Sequence, residues 1–111
     1  MVTEEAVSRG DIYLVSLNPT LGSEIRKTRP CVVVSPDELN AHLRTFIVAP
    51  LTTGGHRYPF RVRCNFEGKD GHVVIDQLRA VDRDRLINRF GVLADDTLVE
   101  VLSVLQAMFA V

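Results

Sequence analysis

Cys31-Val32-Val33-Val34 is an unbroken apolar run in which three of the four residues are β-branched. A strand with one wet face alternates apolar and polar residues, so a continuous run of this kind fits a strand covered on both faces. Proline cannot donate to a sheet ladder, which confines Pro30 to the first position of that strand. Upstream, Ile12 to Leu17 is a second short strand, ended by the turn-initiating pair Asn18-Pro19. The chain between them, through Arg29, is a surface loop. Gly22 gives it conformational freedom, and Ser23, Glu24, Arg26, Lys27, Thr28 and Arg29 crowd it with polar groups.

Downstream, Ser35 can cap a short helix over 36–43 with Pro36 at its first position. Thr45 to Leu51 returns as a strand, and 52–59 is a glycine-bearing loop. Phe60-Arg61-Val62-Arg63-Cys64 alternates apolar and basic residues, which predicts a strand with one wet, positive face. Asp70-Gly71 carries a turn signal, so His72 to Leu78 is expected to pair with that strand as a hairpin. Arg83 to Phe90 is charged and fits neither period. From Asp95 onward, Leu98, Val101, Leu102, Leu105, Met108 and Phe109 recur at spacings of three and four, the mark of an amphipathic helix. Asp95 can cap it, or Thr97 with Glu100 can form a capping box. Its stripe faces a core or a second subunit.

Many short strands with tight turns and one terminal helix predict a mainly β protein with short helices, built on a small, strongly bent antiparallel sheet or barrel. Strands do not alternate with long helices, and the glycines match neither a dinucleotide fingerprint nor a P-loop. At 111 residues there is room for one domain, read as 9–111 after a flexible segment at 1–8. The first ten residues have no apolar stretch of the signal-peptide kind, and no run approaches the roughly 20 residues of a membrane span. A cytoplasmic location is the expectation.

The formal net charge of −1 argues against a protein that coats nucleic acid indiscriminately. The charge is uneven: residues 39–66 hold Arg44, Arg57, Arg61 and Arg63 without a single acid. Cys31 and Cys64 lie within apolar or alternating runs and form no zinc-ligand spacing, so they read as core thiols. His42, His56 and His72 have no metal-binding partners in sequence, and no metal or organic cofactor is expected.

What remains for chemistry is a pair of loops, 22–30 and 50–57, rich in arginine and hydroxyl groups. Guanidinium forks and hydroxyl donors are the groups that hold and neutralise phosphate. The same residues fit a purely structural reading in which Arg29 tethers its loop through a carboxylate such as Glu24 and Thr52 caps a strand end. Composition alone leaves both open.

The ordered series Arg9-Gly10-Asp11-Ile12-Tyr13, Asn18-Pro19-Thr20, Gly22-Ser23-Glu24, Thr28-Arg29-Pro30-Cys31-Val32-Val33-Val34-Ser35-Pro36, Val48-Ala49-Pro50-Leu51-Thr52-Thr53, Tyr58-Pro59-Phe60 and Asp76-Gln77-Leu78-Arg79 resembles the MazF/PemK family of toxin endoribonucleases. Each piece is weak alone; the set, in order from Arg9 to Phe109, is specific. The resemblance implies an SH3-like barrel of the MazF/PemK/CcdB type and a homodimer. It also implies metal-independent, sequence-specific cleavage of single-stranded RNA, messenger RNA above all, by the toxin of a type II toxin–antitoxin system. The implied partner is a small antitoxin whose disordered tail folds over the RNA groove.

Carried over by position, Arg29 and Thr52 match the family's catalytic pair. The implied reaction is attack of a ribose 2′-hydroxyl on the adjacent phosphorus, leaving a 2′,3′-cyclic phosphate and a 5′-hydroxyl. Arginine is effectively always protonated, so Arg29 suits charge stabilisation and proton donation, and the base is unassigned. Glu24 is placed to position the 2′-hydroxyl or read a base edge, with a salt bridge to Arg26 or Arg29 as the structural alternative. Asp76 and Gln77 match base-contacting positions, Asn18 and Lys27 are further candidate contacts, and in the loop after Thr52 Arg57 is a candidate RNA contact and His56 is either an RNA contact or without a role, its imidazole being also a conceivable base. Ile25-Arg26-Lys27 departs from the Gln- and Gly-containing stretch of some relatives, so the cut-site sequence does not transfer. Two other readings share the fold: a poison of DNA gyrase and an inert antitoxin-binding homologue.

Overall fold

In the computed structural model, which describes residues 6–54 and 58–111, seven strands and two helices follow in the order β1 (Asp11–Ser16), β2 (Thr28–Val33), α1 (Asp37–Asn40), β3 (Thr45–Thr53), β4 (Val62–Phe66), β5 (Lys69–Val73), β6 (Arg79–Asp82), β7 (Leu86–Val92) and α2 (Asp95–Met108). Single 3-10 turns at Ile75–Gln77 and Arg83–Arg85 flank β6. All pairings are antiparallel, in the spatial order β4-β5-β3-β2-β1-β7, with β6 also on β3. The result is a mainly β, half-barrel sheet with a C-terminal helix.

The apolar run of β2 does what its composition demands. Cys31 and Val33 enter one core cluster with Tyr13, Val15, Phe46, Val48 and Leu86, while Val32 and Val34 enter a second with Ile12, Ala49, Leu51, Val62 and Val73. The stripe of α2 closes the second cluster: Val101 is fully buried there, with Leu98, Val104, Leu105 and Met108 around it.

β3 is the hinge of the sheet. Its first half pairs with β6 (Thr45↔Asp82 to Val48↔Arg79) and its second half with β5 (Leu51↔Val73 to Thr53↔Gly71). Pro50 sits at the changeover, between the last pair with β6 and the first with β5, where a missing N–H breaks no ladder bond.

Several expectations shift. β2 starts at Thr28, so Pro30 lies inside the strand instead of at its first position. Val34 N–H donates to Ile47 O and Val33 O accepts from Gly10 N–H, so the even residues of β2 turn their backbone groups toward β3. The β2–β3 ladder begins only at Cys31↔Pro50, so Pro30 faces a gap and no N–H is needed. The hairpin turn is Glu67-Gly68, both at positive φ (51° and 74°), and Asp70-Gly71 lies within β5. The expected strand from His72 to Leu78 ends at Val73, because the 3-10 turn carries the chain from one half of β3 to the other. Arg83 to Phe90 resolves into a 3-10 turn and most of β7.

The expected helix at 36–43 shortens to four residues, and Ser35 does not cap it. Its hydroxyl donates to Asn40 Oδ1 (2.7 Å) and accepts from Ile47 N–H (3.1 Å). α2 begins at Asp95 with Ala94 as the flanking residue and no side-chain cap. At the N-terminus, Val7 is 6% exposed within the first core cluster, so the packed body includes part of the segment expected to be flexible. Among the described residues no helix is long and apolar enough to cross a membrane.

Candidate active site

The loop from 17 to 28 is closed at its base. Leu17 N–H donates to Lys27 O (2.9 Å), and Lys27 N–H donates to Asn18 Oδ1 (3.0 Å). Lys27 adopts φ 68° to make this closure, a conformation that costs a non-glycine residue about 1–2 kcal/mol. Asn18, Lys27 and the Thr20 hydroxyl (3.4 Å from Asn18 Oδ1) therefore brace the loop. Two arginines from the far side tie its first strand end: Arg79 donates to Leu17 O (3.0 Å), and Arg85 donates to Ser16 O (3.0 Å) and Asn18 O (2.6 Å).

Against this loop opens a cavity of about 640 Å³. Leu17 and Pro50 give it apolar walls; Glu24, Asp76, Gln77 and Arg79 supply its charged and amide groups. Three of the sequence-selected residues, Glu24, Asp76 and Gln77, thus come together although more than 50 residues separate the first from the others. Gln77 joins the two sides directly, its Oε1 accepting from Ile25 N–H (2.7 Å). The Glu24 carboxylate accepts from Leu21 N–H, and among the described residues it makes no ion pair with Arg26 or Arg29. Both oxygens of Asp76 are taken by Arg61 (2.9 and 3.1 Å), whose guanidinium also lies 4.7 Å from the centre of the Tyr58 ring. The Arg61 hydrogen bond holds the Asp76 carboxyl below the usual carboxylate range, against a smaller opposing effect of burial.

Arg29 and Thr52 do not line the cavity, although Pro50, two residues before Thr52 on β3, does. Directly opposed residues of antiparallel strands point to the same face. Extending the Cys31↔Pro50 register by two residues brings Arg29 level with Thr52, on the face that carries Cys31 and Val48. The β2–β3 ladder itself ends at Cys31↔Pro50, and beyond it β3 keeps only its opposite edge paired, with β5. Arg29 is exposed, and among the described residues its guanidinium has no hydrogen bond or ion pair. The tether to Glu24 is not made. Thr52 is held from the other side by β5, where it pairs with His72. A Cβ on Gly71 would lie 1.8 Å from Thr52 O, so only glycine permits this approach.

The two thiols are inert. Burial pushes Cys31 up to about 12 and Cys64 up to about 11, which leaves no thiolate at neutral pH. No cluster of three or more His, Cys, Asp or Glu side chains suited to a metal occurs among the described residues. His56 and Arg57 lie outside the described residues. The sequence does not single out Arg61 and Arg79: the first reads as one of the bases of the acid-free segment 39–66 on a wet strand face, and the second as the end of the Asp76-Gln77-Leu78-Arg79 motif.

The profile of PemK-like, MazF-like toxins of type II toxin–antitoxin systems matches residues 8–109. The chain belongs to that family. Membership places it among toxin endoribonucleases, and its relatives agree along nearly the whole length. It is 32% identical over 101 residues to a Staphylococcus epidermidis protein named endoribonuclease MazF, covering 86% of this chain and 84% of that one. The crystal structure of MazF from Deinococcus radiodurans superposes with a TM-score of 0.83 at 27% identity, covering 95% of this chain and 97% of the other. A mycobacterial endoribonuclease in complex with its cognate antitoxin shares the fold, with a TM-score of 0.77 at 22% identity over 92% and 93% of the two chains.

Proposed function

We propose that the protein cleaves single-stranded messenger RNA at a preferred short sequence, without metal, in the cytoplasm, and so arrests translation. The observation that carries this reading is the unpartnered Arg29 guanidinium, level with Thr52 on the strand whose Pro50 lines a polar cavity of about 640 Å³. The ribose 2′-oxygen attacks the adjacent phosphorus and its proton passes to a base. The P–O5′ bond breaks, and the leaving oxygen takes a proton to become a 5′-hydroxyl, with a 2′,3′-cyclic phosphate on the other fragment.

Charge accumulates on the non-bridging oxygens in that transition state, and preorganised donors there carry much of the rate enhancement. Arg29 supplies the positive fork and Thr52 a hydroxyl donor. Glu24 reaches the cavity on a loop braced by Asn18 and Lys27 and positions the cleaved nucleotide. Gln77 and Asp76 present the opposite wall to its base, and His56 and Arg57 contact the flanking strand. The working form is a homodimer, restrained by a small antitoxin whose disordered tail orders as it covers the groove.

The test is incubation of the purified protein with a long unstructured RNA in EDTA, followed by mapping of cut sites and analysis of the new ends. Cyclic phosphate and 5′-hydroxyl ends at a recurrent sequence, absent with Arg29→Ala, are expected. No cleavage of diverse RNA overturns the reading and directs attention to gyrase.

A further inference from the structure

Among the described residues, most arginine side chains are engaged. Arg9, Arg79 and Arg85 hold backbone carbonyls, Arg44, Arg61 and Arg89 hold carboxylates, and Arg83 lies against the Phe46 ring. Arg26 reaches Gly22 O at 3.5 Å. Among the described residues, two guanidinium groups take part in no hydrogen bond, ion pair or ring contact: those of Arg29 and Arg63.

These two lie in one rank of the sheet. Arg63 on β4 pairs with His72 on β5, His72 pairs with Thr52 on β3, and the β2–β3 register extended past its last pair brings Arg29 level with Thr52. Cross-strand partners share a face, so Arg63, His72, Thr52 and Arg29 form a single row running perpendicular to the strands. Two inter-strand spacings, about 10 Å, separate Arg63 from Thr52, and Arg29 lies beyond Thr52 on the β2 side. Val62, Val73 and Leu51, the neighbours of this row, point the other way into the second core cluster. His72, 8% exposed, fills the row between the arginine and the threonine, and its Nδ1 donates to Gly54 O (3.1 Å), since a carbonyl can only accept. That bond ties down the chain just beyond Thr52.

A guanidinium left without a partner on the same row as the cleaving residues has one electrostatic use there. We infer that Arg63 binds a phosphate of the RNA strand flanking the scissile one, so that the strand crosses the sheet along the row from Arg29 over Thr52 toward β4. The inference rests on the RNA-cleaving reading above and extends it by a phosphate subsite on β4. Arg63 touches substrate away from the reacting atoms: it holds the strand, and the bond-breaking step does not need it.

The test uses the RNA sequence at which the unsubstituted protein cuts, made with one 2′-O-methyl group on the cleaved nucleotide so that it binds without reacting. Affinity is measured by fluorescence anisotropy across a series of salt concentrations, and single-turnover cleavage is measured on the unmodified RNA at saturation. Arg63→Gln is expected to weaken binding about three- to tenfold and to reduce the slope of log K against log salt by about 0.7, one phosphate contact on a single strand. The saturated cleavage rate stays unchanged, and Arg63→Lys restores most of the slope. Arg44→Gln removes the same charge from a guanidinium already paired with Asp82 and Asp84, and a smaller effect is expected.

Unchanged affinity and slope in Arg63→Gln, with cleavage by the unsubstituted protein intact, overturns the subsite and leaves the nuclease reading standing. Equal effects from Arg44→Gln and Arg63→Gln overturn it too, since net charge alone then explains them. Failure of the unsubstituted protein to bind or cut RNA overturns the nuclease reading and the subsite with it.

Discussion

At the residue scale, the chemistry divides between a cation kept free and carboxylates kept occupied. Arg29→Ala is expected to abolish cleavage while the circular dichroism spectrum and melting behaviour stay those of the folded protein, because its side chain holds nothing else in place. Full activity in that variant would remove Arg29 from the mechanism. Thr52→Ala should lose at least about tenfold in the single-turnover rate, roughly 1.4 kcal/mol of transition-state stabilisation; an unchanged rate would leave Thr52 only a strand residue. Asp76 differs, since Arg61 already occupies both its oxygens. Its carboxyl is held below the ordinary 3.8, so the pair stabilises the fold above that value, and the contribution fades as pH falls through the lowered one. Acid denaturation of Asp76→Asn should therefore converge on that of the unsubstituted protein only once pH has fallen below the lowered carboxyl range, and diverge from it at neutral pH. Parallel curves at all pH values would show that the pair carries no stability.

At the element scale, β5 is the piece that sets Thr52. Asp70-Gly71 looks like a turn in sequence, yet the turn is made three residues earlier by Glu67-Gly68, and Gly71 serves a different need: its missing side chain leaves room for Thr52 O. Gly71→Ala must push β5 away from β3 at that point. An overpacking cost of about 1–3 kcal/mol is expected, read as a lower denaturation midpoint, together with slower cleavage because Thr52 is displaced. A variant of ordinary stability and rate would show that the strands separate without consequence. The turn signal was real but ambiguous, since a glycine wanted for its φ and a glycine wanted for its lack of Cβ read identically in a sequence. Period-two alternation placed β4 to within two residues, and the three-and-four spacing from Asp95 onward placed α2, which starts at Asp95. Short-range signals of this kind survive because they reflect which face of one element is dry.

At the scale of the whole molecule, sedimentation at micromolar concentration is expected to give a dimer, and a monomer there would contradict the proposed working form. The sequence by itself determined the mainly β class, the double-sided burial of Cys31 to Val34, the amphipathic terminal helix and, through an ordered series of short motifs, the family. These follow from local periodicity and from the identity of residues in line. Only the tertiary structure decided that β3 divides its length between β6 and β5, and with it where Thr52 stands relative to Arg29. It also decided that Asp76 answers to Arg61, that Gln77 locks the loop of Glu24, and that Arg63 shares a cross-strand row with His72 and Thr52. Each of these depends on register between strands distant in sequence, which is fixed when two faces of the sheet bury their apolar sets together. A linear reading sees the members of each pair but not which of them meet.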